Sequence, residues 1–152
     1  MAYLNTFDPE TTRITLERLE KISADTQPQW GKMNAGQMLA HLNVAYDGAY
    51  GKSGKPLSGF ARFMMKLFVK KIVVSDLPYK KNNRTAPEYI IEGDRNFEEE
   101  KAKLIAYIQK VEKDGVAYFD GKESQSFGKL TVKEWSNVFY KHLDHHFQQF
   151  GV

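Results

Sequence analysis

The stretch "TVKEWSNVFYKHLDHHFQQFGV", residues 131–152, decides the fold. Thr131 can cap a helix with its hydroxyl, and Glu134, three residues on, completes a capping box. Trp135, Val138 and Phe139 then recur at i, i+3 and i+4, the spacing of one apolar face at about 100° per residue. Gly151 is a natural stop, so the spacing predicts a helix from Thr131 to about Phe150. His142 follows Val138 by four and Phe139 by three, and His146 lies one turn further along. Both imidazoles continue the apolar face and are expected to point into whatever that face covers.

Four more segments read as helices. One runs from about Pro9 to Ser23, with Asp8 as N-cap and Pro9 in the favoured first position. A second begins at the cap Asn34, with Gln37 as its capping-box partner, and continues to Gly48 or Tyr50. A third, Ser58 to about Val74, spaces Phe60, Phe63, Met64, Leu67, Phe68 and Ile72 as a helical stripe, with Arg62, Lys66 and Lys70 every four residues on another face. That stripe is expected to be core, not a membrane anchor. A fourth, about Asp94 to Lys113, starts acidic and ends basic, in the order that complements the helix dipole, with Gly115 as its stop. The stretch "SDLPYKKNNRTAPEY" reads as a long loop, "GKSGKP" (51–56) as a surface turn and "VAYFDGKESQSFGKL" as irregular, and no run of alternating strands stands out. The expectation is one all-α bundle domain over residues 1–152.

The fourth histidine, His41, lies three residues after Met38 and four before Ala45, on the face that Met38, Leu42 and Ala49 also mark as inward. Three histidines from two distant helices thus point to one interior, a standard way of building a three-His metal site in a bundle. Taken singly, each has a plainer reading, such as a buried imidazole bonded to a carbonyl, and spacing alone leaves both readings open. His145 is turned away from the pair, so it is at most a helix-edge residue or a group that touches a ligand from outside. Gln149, seven residues after His142, and Gln37, one turn before His41, are candidates for orienting an imidazole or a ligand water, beside their plain readings as helix-end side chains. The residue after His142 is Leu143 and the residue before His146 is His145, so neither zinc-protease arrangement of His and Glu is present. "GKSGKP" has the wrong spacing for a phosphate-binding loop.

Composition narrows the field. A chain of 152 residues, 41% of them hydrophobic, can bury a core of its own. Its net charge of +3 requires neither a nucleic acid nor an acidic membrane as partner. Arg62 to Arg84 carries a local +6, but Glu88 to Glu100 carries −5, so the two stretches compensate. There is no cysteine, hence no disulfide, no thiolate ligand and no thiol nucleophile from the chain. The first residues lack the pattern of a secretory signal, and the most apolar stretch is broken by cations, so a cytoplasmic location is expected.

The segments "WGKMNAGQMLAHL" (30–42), "FGKLTVKEW" (127–135) and "YKHLDHHFQQFGV" (140–152) resemble the hallmark segments of a bacterial branch of the DinB/YfiT-like superfamily. The resemblance spans most of the chain and is weakest from about Gly51 to Ala86. It implies a four-helix bundle with an additional helix. It also implies a divalent metal held by one histidine of an early helix and a HxxxH pair of the last, which here are His41, His142 and His146. Better-understood relatives look like metal-dependent transferases that activate a low-molecular-weight thiol, and others look like hydrolases. In this branch a His-Pro pair often precedes the Phe-Gly of the middle segment. Ser124, Gln125 and Ser126 occupy that region here, so no histidine carries over to it.

The leading expectation is therefore a metal-dependent enzyme acting on a small molecule, with zinc, nickel, iron or copper all suited to three neutral imidazoles. His145, Tyr46 and Tyr140 are general-base candidates only through their nearness to the ligands in sequence. The alternative is a non-catalytic bundle that binds a small ligand or a protein. A homodimer is left open.

Overall fold

A computed structural model describes residues 2–53 and 57–152. The expected turn at 51–56 thus lies partly outside the described residues. Four long helices build the bundle: α1 (Pro9–Glu20), α2 (Ala35–Ala49), α5 (Phe97–Phe119) and α6 (Val132–Gln149). Between α2 and α5 the chain adds a helical arm made of α3 (Gly59–Met64), a π-helical turn (Met65–Val69) and α4 (Lys70–Val74). The fold is all-α, as the periodicity predicted, with α2 packed on α5 and α6, and α1 on α5.

Both predicted capping boxes are present. The Asn34 side chain accepts the Gln37 N–H while Gln37 Oε1 accepts the Asn34 N–H at 3.0 Å, and Thr131 and Glu134 do the same at the start of α6. Asp8 holds the N-cap position without a capping bond, because its carboxylate accepts from Asn5 Nδ2 at 3.1 Å instead. Helix α1 ends at Glu20 rather than Ser23, where the Ser23 N–H donates to Thr26 Oγ1 at 2.9 Å. A side-chain acceptor so close gives the backbone an alternative to another helical turn. Helix α5 starts after Asn96, not at Asp94, because the Asn96 side chain accepts the Glu99 N–H. Gly115 breaks α5 as expected, with φ +67° that a side chain would oppose, but one more turn follows it to Phe119.

The interior is aromatic and aliphatic. Tyr46 lies stacked between Tyr107 (centroids 5.3 Å) and Phe139 (4.8 Å), and Phe139 continues onto Trp135 at 5.6 Å. Leu19, Met38, Leu42, Leu104 and Phe147 are wholly buried around that stack. Burying side chains of this size supplies about 1.5–3 kcal/mol each.

Two expectations are corrected. The stripe on residues 59–74 is not core: Phe60 is 75% exposed and Phe68 61%. The arm is held instead by its other face, where Arg62 pairs with Glu123, and Lys70 with Glu134 at 3.2 Å. Asn137 Nδ2 donates to the Val74 carbonyl at 2.7 Å, and the buried Lys141 ammonium donates to the Ile72 and Ser75 carbonyls. Lys141 thereby satisfies carbonyls that the end of α4 leaves free. The acids that pair with Arg62 and Lys70 lie outside residues 88–100. Second, the irregular stretch contains a minimal hairpin, β1 (Glu123–Ser124) and β2 (Gly128–Lys129), pairing antiparallel. Two-residue strands are too short to show an alternating pattern in sequence. No helix of the described residues is long and apolar enough to cross a membrane.

Candidate metal centre

His41 on α2 and the pair His142 and His146 on α6 meet between the helices, with ring centroids 4.6–5.0 Å apart. One nitrogen from each ring lies within 4.8 Å of the others. His41 and His146 are buried and His142 half-buried. Around a four-coordinate zinc, with bonds of about 2.0–2.1 Å, ligand nitrogens stand roughly 3.3 Å apart. The His41 and His142 Nε2 atoms are 2.9 Å apart, so the observed spread brackets that spacing.

The surroundings select which nitrogens face the centre. His41 Nδ1 lies 2.9 Å from the Tyr89 carbonyl, which can only accept, so Nδ1 carries the proton and Nε2 keeps its lone pair. His146 Nδ1 lies 2.7 Å from Gln149 Oε1. Gln149 Nε2 donates to the Trp30 carbonyl at 2.7 Å, which turns the amide oxygen toward His146. A hydrogen bond on one ring nitrogen fixes the tautomer and frees the other to bind. The His41 Nε2 lone pair faces His142 Nε2 at 2.9 Å, a contact that takes a proton or a cation between the two nitrogens. The donor set fits a divalent ion on this ground.

The Trp30 loop is fitted to the end of α6. Gly31 has φ +84°, and a Cβ there would lie 2.5 Å from Gln149 Nε2. The Gln29 N–H donates to the Gln149 carbonyl at 2.7 Å. The first and last of the segments singled out in the sequence therefore meet at the centre. Gln149→Ala would release the His146 tautomer, and metal affinity is expected to fall about 10–100-fold with the fold unchanged. Calorimetric titration beside circular dichroism checks this.

Burial holds all three imidazoles in the neutral form. His142 is kept well below the ordinary histidine range by burial, then by His41 and His146. His146 is pushed down to about 3 by burial and by His41. His41 is lowered by burial, against the pull of the Tyr89 carbonyl. Below about pH 6.5 the unfolded chain takes up protons that the folded chain refuses, so stability is full above that pH and falls as pH drops toward the folded values. The metal-free protein is expected to lose up to about 1.4 kcal/mol per pH unit for each of these histidines. Denaturant unfolding between about pH 7 and pH 5, compared with a His41→Gln, His142→Gln variant of shallower slope, measures it.

The other candidates fall elsewhere. Gln37 is occupied by its capping box and by the Gly93 carbonyl at 3.0 Å, and neither contact reaches a histidine. Gln149 serves His146 rather than His142. His145 packs against Trp30 and Tyr79, beside the cluster and not in it. The buried Tyr46 hydroxyl has no hydrogen-bond partner among the described residues, and burial raises its pKa, so it is no base at neutral pH. Tyr140 packs against Tyr3, and burial raises its hydroxyl as well. Tyr89 escaped the sequence reading altogether. It bonds His41 through a backbone carbonyl, which carries no residue signature, and its ring lies 5.5 Å from His41 and 5.9 Å from His142.

An α-helical bundle with one histidine from its second long helix and an i, i+4 pair from its last defines a class of proteins built around a polar centre. Within that class the chain belongs to the DinB superfamily, whose family model matches residues 6–150. Comparison with curated proteins and with solved structures gave no significant match.

Proposed function

We propose that the protein is a divalent-metal-dependent enzyme of small-molecule chemistry, with His41, His142 and His146 as the protein ligands. The observation that carries this is the convergence of three neutral imidazoles, two of them with their tautomers set so that Nε2 faces the others. A divalent ion of the zinc, nickel or iron kind, when bound, supplies Lewis acidity and lowers the pKa of a thiol or water beside it.

The rest of the reading follows from the chain's own groups. A cavity of about 440 Å³ lies one helical turn from the histidines, at Ala45 on α2 and Val138 on α6. Trp135 and Phe127 give it apolar walls, and Ser124 and Gln125 give it polar ones, which suits the body of a small organic substrate. Tyr89 borders both the cavity and the histidines. Burial pushes its hydroxyl up to about 12, so it stays protonated at neutral pH and can donate a hydrogen bond but not accept a proton. The chain has no cysteine, so a thiol nucleophile would come from a second substrate, in keeping with transfer to a low-molecular-weight thiol. Hydrolysis is the other chemistry that this centre suits.

The test is consumption of a small thiol in the presence of electrophiles by metal-loaded and chelator-treated protein. Metal-dependent loss of thiol supports the transferase reading. Stoichiometric metal with neither thiol consumption nor hydrolysis would leave a non-catalytic ligand-binding bundle in its place.

A further inference from the structure

The helical arm at residues 59–74 is built the wrong way round for a monomer. Its outward face carries Phe60 (75% exposed), Phe63 (60%), Met64 (36%), Leu67 (58%), Phe68 (61%) and Ile72 (51%). At roughly 150–250 Å² for a large side chain, those fractions amount to roughly 600 Å² of apolar surface in one stripe. That is the upper end of what a typical monomer exposes in one patch, and it approaches the roughly 800 Å² that each partner gives to a standard protein interface.

We propose that this face is the contact surface between two copies of the chain. The distribution of charge selects a second copy over an anionic lipid surface. An amphipathic helix that lies on a membrane needs free cations flanking its apolar face. Here the flanking cations are already committed to the body of the protein, Arg62 to Glu123 and Lys70 to Glu134. Lys66 turns toward the hairpin, with its Nζ 3.8 Å from the Cβ position of Gly128. Among the described residues of this arm, Lys71 is the cation left at the edge of the stripe. A single helix face, long, apolar and nearly free of charge, is complementary to itself. Two arms running antiparallel across a two-fold axis bury the same side chains on each copy. They also keep the two Lys71 ammonium groups toward opposite ends of the contact.

The anchoring of the arm supports this. Lys141 and Asn137, on α6 beside His142, hold the carbonyls at the end of α4, so the face is presented by a fixed element and not by a loose one. The three histidines of the metal centre come from within one chain. Pairing through the arm is therefore independent of whether metal is bound.

Sedimentation velocity of the full chain across the micromolar range tests the proposal. The expected mass is twice the 17.5 kDa of one chain. The double variant Phe63→Glu, Phe68→Glu is expected to weaken self-association at least about 100-fold while leaving helix content unchanged, because both side chains are exposed in the single chain. Since the chain has no cysteine, Leu67→Cys gives a second readout: oxidation is expected to yield a covalent dimer, whereas Glu17→Cys on α1 is expected to yield none. A wild-type chain that stays monomeric overturns the proposal, as does a dimer that the double variant leaves intact. Binding of the monomer to phosphatidylserine vesicles, lost in the double variant, would assign the face to lipid instead.

Discussion

His142→Ala is expected to strip the protein of metal. Purified wild-type chain should carry a divalent ion, and the variant should carry none after the same preparation. Removing a ligand must cost more than the 10–100-fold typical of losing a residue that only orients one, so affinity should fall by at least about 100-fold. The fold should survive. His142 is half-buried and its ring contacts are the other two imidazoles and Tyr89 and Tyr79, so truncation removes a partner without opening the aromatic core. Replacing this neutral imidazole by a methyl group also removes a group that resists protonation in the folded chain. The metal-free variant should therefore be no less stable than metal-free wild type below about pH 6.5. Metal analysis and thermal unfolding on the same samples check both halves.

The second large effect is expected from Phe139→Ala, which should cost about 3–5 kcal/mol of stability. Phe139 is 1% exposed and packs on Tyr46 and Trp135, with its edge to Phe119. Its ring neighbours are themselves aromatic rings packed on other rings, so the space left behind is costly to refill. Phe139 also lies one turn before His142 on α6. Loosening of that turn should weaken metal binding together with stability, in contrast to Gln149→Ala, which should weaken binding alone. Denaturant unfolding and metal titration of the two variants separate these effects.

Much of this arrangement was legible in the sequence because it depends on local chemistry and on one period. The two capping boxes need only residues three apart. The inward face of α6 follows from Trp135, Val138 and Phe139, and that face carries His142 and His146 with it. His41 follows from Met38 and Leu42 in the same way. The arm at 59–74 shows where the period stops being informative. Its sequence is amphipathic, but periodicity does not say which face turns to the protein. Here the charged face does, because Glu123 and Glu134 pair with Arg62 and Lys70, while Asn137 and Lys141 hold the carbonyls at the end of α4. Gln37 shows another limit. One side chain cannot both close a capping box and reach the histidine a turn away, and the local bond, formed within the same helix end, prevails. The Tyr89 and Trp30 carbonyls that set the histidine tautomers were illegible because any residue at those positions offers the same oxygen.

The most direct measurement is a calorimetric titration of chelator-treated wild-type protein with zinc, beside His142→Ala under identical conditions. Saturation at one ion per 17.5 kDa chain in the wild type, with no saturable binding in the variant, is the expected result. Saturable binding of the same stoichiometry and affinity in both proteins, or none in either, would contradict a metal centre at His41, His142 and His146.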